Sequence, residues 1–151
     1  MSNGPWAWTL VVNDNPDVLG VTQKALARVG VHTTTAASGE AGLVALAQRP
    51  YELVLLDNDM PGLTGREVLA LMKANPQFRQ IPVLSITGNP SPAIRAEFQQ
   101  LGVVEFLPKP FEMLNLLRAT LTALKRPPAK DSTLASLLEG YASVRIELPT
   151  Q

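Results

Sequence analysis

Short apolar runs alternate along this chain with longer segments whose apolar residues recur every three or four positions. Leu10, Val11 and Val12 form the first run, and Asn13-Asp14 closes it. Asn15 can cap a helix that opens on Pro16, where a missing N–H is harmless. Val18, Val21, Thr22, Ala25, Leu26 and Val29 share one face of that helix, and Gly30 suits the left-handed residue that stops it. Val31 to Ala36 is β-branched but polar, which fits an edge strand. Ser38 can cap a second helix that turns Ala41, Val44 and Ala45 inward and ends at Pro50.

The next run, Leu53 to Leu56, is continuously apolar and fits a strand buried on both faces; it stops at Asp57, just before a Pro61-Gly62 turn. Thr64 and Glu67 have the spacing of a capping box, so a third helix starts at Gly65, with Val68, Leu71 and Met72 inward, and ends before Asn75-Pro76. Ile81 to Thr87 is a fourth strand. Ser91-Pro92 repeats the cap-then-proline signal for a fourth helix lined by Ile94, Phe98 and Leu101. Val103 to Leu107 is a fifth strand, and Leu114, Leu117, Leu121 and Leu124 give the fifth helix its stripe. Strands and helices alternating at this spacing predict right-handed crossovers and an α/β domain with a doubly wound parallel sheet, helices on both faces.

That pattern places one domain over residues 9–124. Residues 125–151 read as a linker around Pro127-Pro128 and a tail with a short amphipathic helix, striped by Leu134, Leu137, Leu138 and Tyr141. Val144, Ile146 and Leu148 then alternate with Arg145 and Glu147. A lone helix of this length is marginal in water, so the stripe requires a surface to lie on.

Composition removes several function classes. The 13 Lys and Arg balance 13 Asp and Glu, so no overall field points to nucleic acid or a membrane surface. No cysteine is present, which excludes disulfides, thiolate metal sites and a Cys nucleophile. No apolar run approaches the ~18 residues of a spanning helix, and a cytoplasmic location is expected. The lone His32, on a polar edge strand, makes no metal site. Neither a Gly-x-Gly-x-x-Gly nor a P-loop occurs, which disfavours nucleotide binding.

Candidate chemistry gathers at the carboxyl ends of the strands, where open α/β sheets bind ligands. Asp14, Asp57, Thr87 and Lys109 all fall there. Two carboxylates on adjacent strands, with water completing the shell, are what Mg²⁺ prefers. A hydroxyl and an ammonium beyond Asp57 are donors suited to phosphoryl oxygens, which makes Asp57 a nucleophile able to form an acyl phosphate. Blander readings stand beside these. Asp57 and Lys109 could form a structural ion pair, Asp14 could cap the first helix, and Phe106 could simply fill core.

The phrases Leu-Leu-Asp-Asn-Asp-Met-Pro-Gly, Ser-Ile-Thr-Gly and Leu-Pro-Lys-Pro-Phe, in this order on these strand ends, resemble the receiver domain of two-component response regulators over roughly Thr9 to Leu124. The resemblance implies a flavodoxin-like five-stranded sheet of order 2-1-3-4-5. It implies phosphoryl transfer to Asp57 from a histidine kinase or histidine phosphotransfer protein, with Mg²⁺ held by Asp14, Asp57 and the backbone carbonyl of Asp59. Thr87 and Lys109 would contact the phosphoryl group, and the Lys109-Pro110 bond is often cis in this family. Thr87 and Phe106 would form the switch, with Phe, lacking a hydroxyl, acting by steric contact. Movement of the fourth helix, fifth strand and fifth helix would expose a face to a downstream protein effector or to a second copy.

Three positions depart from the family or tune it. Asn13 stands where receivers usually carry a second acidic residue; it can accept a hydrogen bond from a metal-bound water but brings no charge, so weaker Mg²⁺ binding is expected. The resemblance further implies that Asp59 and Asn89 occupy the two variable positions that, in the family, tune how fast the phosphoryl group is lost. The function expected is a phosphorylation-controlled signalling module rather than an enzyme, with no direct nucleic-acid or membrane contact. Two alternatives are a haloacid dehalogenase-like phosphatase, for which Asp57-Asn58-Asp59 supplies a nucleophile and general acid, and an unphosphorylated scaffold. Against the phosphatase, Met60-Pro61 replaces the usual Thr or Val, and no acidic pair follows Lys109.

Overall fold

The structure is a computed structural model that describes residues 7–88, 91–126 and 131–147, the side chains of 131–133 excepted. Each strand and helix of the expected alternation is present: β1 (Ala7–Val12), α1 (Pro16–Ala27), β2 (Val31–Ala36), α2 (Gly39–Leu46), β3 (Leu53–Asp57), α3 (Gly65–Ala74), β4 (Val83–Thr87), α4 (Pro92–Gln100), β5 (Glu105–Pro108) and α5 (Met113–Ala123). The five strands pair in parallel in the order β2-β1-β3-β4-β5. This is the doubly wound, flavodoxin-like sheet that the alternation and the resemblance imply, with β2 at one edge.

The helix starts follow their capping chemistry. The side-chain oxygen of Asn15 accepts the amides of Asp17 and Val18 at 2.9 and 3.3 Å, and Ser38 and Ser91 accept those of Ala41 and Ile94 at 3.0 and 3.3 Å. Thr64 and Glu67 form both halves of a capping box, at 3.2 and 2.9 Å.

Because side chains of a strand alternate between faces, the central strands feed two cores. Val11, Leu53, Leu55, Leu84 and Ile86 meet α1 and α5 on one side. Leu10, Val12, Val54, Leu56 and Val83 meet α2, α3 and α4 on the other.

Three expected inward residues of α2 and α3 face solvent. Ala41 is exposed and Val44 is 61% exposed, because α2 turns Gly39, Gly42, Ala45 and Leu46 to the sheet instead. A Cβ on Gly42 would lie 3.0 Å from the side chain of Val12, so the helix sits close and its contact face is led by glycines that an apolar count passes over. Leu71 is 49% exposed, and Leu69 takes the buried place between Val68 and Met72. β5 also begins later than the apolar run from Val103 suggests, with Val104 exposed.

The tail packs on the α1–α5 side. Helix α6 (Asp131–Leu137) is followed by β7 (Arg145–Ile146), which pairs antiparallel with β6 (Phe111–Glu112) just ahead of α5. Leu134, Leu138 and Ile146 are buried in the core that contains Phe111, Met113 and Leu117, whereas Leu137 of the expected stripe is exposed. The guanidinium of Arg28 lies 5.3 Å above the Tyr141 ring. No side chain caps α5; instead Met113 N–H donates to the carbonyl of Val144 at 2.7 Å and Leu114 N–H to that of Ala142 at 3.1 Å. The tail therefore satisfies amides that a helix start leaves without partners. Pro127-Pro128 and Leu148 lie outside the described residues.

Candidate functional site

Strand register brings the site together. Val12 pairs with Leu56, Asp57 with Ile86 and Thr87 with Pro108, so the residues closing β1, β3, β4 and β5 share one level at the carboxyl end of the sheet. The chain leaves β3 tightly: Asn58 N–H donates to the Ile86 carbonyl at 2.8 Å, and the Asn58 side chain accepts Arg66 N–H at 2.8 Å. Gly65 seals this turn, since a Cβ there would stand 2.5 Å from the carbonyl oxygen of Asp57. No other residue type fits without moving the backbone that carries Asp57.

Asp57 is 1% exposed. Lys109, itself buried, places its Nζ 3.0 Å from Oδ1 and 3.1 Å from Oδ2 of Asp57, and its backbone N–H holds the Thr87 carbonyl at 2.8 Å. The Lys109-Pro110 bond is cis. Asp59 N–H donates to Asp57 Oδ1 at 3.0 Å. Burial pushes the Asp57 carboxyl above the usual carboxylate range, against the opposing pull of that amide and of the Lys109 ammonium. The result is a poorly hydrated carboxylate beside a fixed cation, the environment in which a weak nucleophile becomes useful.

Thr87 is fully buried and turns its hydroxyl toward the same space, donating to Asp59 Oδ1 at 3.2 Å. Gly88 N–H donates to Asp59 Oδ2 at 2.6 Å, and that oxygen lies 3.5 Å from Lys109 Nζ. Asp57, Asp59, Thr87 and Lys109 thus form one connected network. The amide of Gly88 is a member that sequence reasoning missed; the only signal for it is a glycine directly after a strand-closing threonine.

Asn13 and Asp14 close the neighbouring strand. Asn13 is buried, its backbone N–H donates to the Ala36 carbonyl at 3.0 Å, and its side-chain oxygen accepts Asn15 N–H at 2.9 Å, shaping the turn into α1. Asp14 is exposed beside that turn. Phe106 is half-buried on β5, its ring 5.4 Å from that of Phe98 and 5.1 Å from the Arg95 guanidinium. Asn89 lies outside the described residues. His32 is exposed, as expected, and stacks on Trp8 at 4.7 Å.

The donors at this sheet end fit a hard cation. Among the described residues no three His, Asp or Glu side chains form a ready cage. What the chain offers is carboxylate and carbonyl oxygen beside open solvent at Asp14, and a metal that keeps several waters suits such a partial set.

A buried carboxylate at the mouth of a 2-1-3-4-5 sheet, gripped by a lysine and faced by a threonine, defines the phosphorylatable class of flavodoxin-like signalling domain. The model of the response regulator receiver domain matches residues 9–121, and the chain belongs to that family. It is 36% identical over 125 residues, 83% of its length, to a probable cyclic di-GMP phosphodiesterase of Vibrio cholerae, covering 28% of that protein. Its fold matches the chemotaxis protein CheY4 of Vibrio cholerae with a TM-score of 0.73 at 26% identity, over 78% of this chain and 98% of that one. It also matches the receiver domain of a Pseudomonas aeruginosa sensor histidine kinase, described with magnesium coordinated in its active-site cleft, with a TM-score of 0.69 at 26% identity over 79% and 98% of the two chains. The chain spans 14% to 61% of the length of the curated relatives it matches. Family membership decides for a receiver of two-component signalling over the phosphatase alternative.

Proposed function

We propose that Asp57 is the phosphoacceptor, and the observation that carries this is its burial at 1% exposure with the Lys109 ammonium 3.0 Å away. A carboxylate oxygen of Asp57 attacks the phosphorus of a phosphohistidine on a histidine kinase or phosphotransfer protein. The P–N bond breaks, its electron pair stays on the imidazole nitrogen, and an acyl phosphate forms on Asp57. Lys109, the Thr87 hydroxyl and the Gly88 amide receive the phosphoryl oxygens. Asp14, Asp57 and the backbone carbonyl of Asp59 would hold Mg²⁺, which when bound supplies positive charge against the phosphoryl group. Asn13 adds no charge to that set, so Asn13→Asp should tighten Mg²⁺ binding.

Residues 9–124 act as the receiver and 125–151 as an accessory tail. As Thr87 turns toward the phosphoryl group, the space beside β5 changes and Phe106 follows by steric contact, altering the face formed by α4, β5 and α5. A groove there, lined by Arg95, Gln99, Val103, Val104, Glu105 and Phe106, supports docking of a protein effector or a second copy. Asp59 and Asn89 set the lifetime of the acyl phosphate; an unchanged decay rate in Asp59→Asn would remove Asp59 from that role. The module is a phosphoacceptor rather than an enzyme. Among the described residues no helix is long and apolar enough to cross a membrane, which supports a cytoplasmic reading.

Intact mass after incubation with acetyl phosphate tests the assignment. A single Mg²⁺-dependent phosphoryl adduct, absent in Asp57→Ala, is expected. No adduct at any Mg²⁺ concentration, in a folded protein, would favour an unphosphorylated scaffold.

A further inference from the structure

The Asp59 side chain already holds the donors assigned above to the phosphoryl group. Its Oδ1 accepts the Thr87 hydroxyl at 3.2 Å; its Oδ2 accepts Gly88 N–H at 2.6 Å and stands 3.5 Å from Lys109 Nζ. One oxygen on a hydroxyl and the other on an amide and an ammonium is how two oxygens of a tetrahedral anion would be held. The backbone beneath is fixed, because Asp59 N–H is bonded to Asp57 Oδ1 at 3.0 Å, yet the side chain is 25% exposed and has a route to water. Thr87 and Lys109 are buried and have no comparable freedom.

We infer that the Asp59 carboxylate is an internal stand-in for the phosphoryl group: it competes with incoming phosphoryl oxygens for Thr87, Gly88 and Lys109 and must swing to solvent before they can bind. This rests on Asp57 as the phosphoacceptor and gives residue 59 a role before transfer, separate from any effect on decay. The physical reason is charge. The Thr87 hydroxyl and the Gly88 amide have one proton each to give, so a phosphoryl oxygen takes them only as the carboxylate lets go. The two anions repel each other beside Lys109, and each charge-assisted bond surrendered weakens the net gain from the newcomer. A neutral side chain at this position competes less for them, since an amide oxygen accepts without charge and a methyl group does not accept at all.

Beryllium trifluoride, a phosphoryl mimic, is the probe. Its affinity is measured by calorimetry for the wild type, Asp59→Asn and Asp59→Ala, each at a Mg²⁺ concentration that saturates that protein. Both variants are expected to bind roughly tenfold tighter, which corresponds to about 1.4 kcal/mol. Before any anion or metal is added, the Gly88 amide proton of the wild type should resonate well downfield and should move upfield in both variants. Equal or weaker binding in Asp59→Ala, or an unmoved Gly88 resonance, overturns the stand-in role while leaving Asp57 as phosphoacceptor. Failure of all three proteins to bind overturns both.

Discussion

Helices α4 and α5 flank the same strand, β5, but they are held in opposite ways. The only buried residue of α4 is Phe98, and its outward anchor is an exposed ion pair, Glu97 to Arg66 of α3 at 2.6 Å. In contrast, α5 buries Met113, Leu116, Leu117, Thr120 and Leu121, and the tail adds a second layer over it while capping its first turn. One side of the site rests on one fully buried aromatic side chain with Ile94 and Leu101 half-buried beside it, and the other on a shared core. The switch proposed above would use this asymmetry: a helix with one fully buried side chain shifts at lower cost than one held in a shared core, and the α5 side would hold the lysine loop in place.

The contrast can be broken most directly at the one fully buried side chain of α4. Phe98→Ala should cost about 3–5 kcal/mol in urea denaturation, and amide exchange should rise first in α4. If α5 opened equally early, the two helices would not be independently held. On the other side, Leu138→Ala should cost about 2–5 kcal/mol, and the amides of Met113 and Leu114 should exchange faster as their tail partners loosen. A cost near zero would mean that the tail merely rests on the domain. Glu97→Gln should cost only about 0.2–1 kcal/mol, less at high salt, with α5 exchange unchanged.

The smallest effect is one of pH. The Thr64 backbone amide, and then its hydroxyl, hold the Glu67 carboxyl below the usual carboxylate range. A lowered value means stability that is present above the ordinary carboxylate range and lost as pH falls through it toward the lowered one. Acidification should therefore loosen the start of α3, and with it the Arg66 anchor of α4, before it affects α5. A thermal melt series in which Glu67→Gln shows the same acid slope as the wild type would contradict this.

Local chemistry made most of the fold legible. Asn15, Ser38, Thr64 with Glu67, and Ser91 act within four residues of themselves, so their roles could be read from order alone. The site was legible for the same reason, since Asp57, Thr87 and Lys109 each close or follow a strand. What escaped depends on approach in space. Gly42 became a contact face because α2 comes within reach of Val12, and the pairing of β6 with β7 is too short to leave a period. The occupation of Thr87 and Gly88 by Asp59 joins residues 28 and 29 positions apart, and no pattern of spacing announces it.

Gly65 carries no charge, touches no ligand and accepts no proton, yet its missing Cβ lets the start of α3 lie against the carbonyl of Asp57. In a genetic screen scored by signalling output, missense alleles at codon 65 should therefore fall into the same phenotypic class as lesions of Asp57 itself. Alleles at Gly20, where a side chain meets open space, should pass unnoticed.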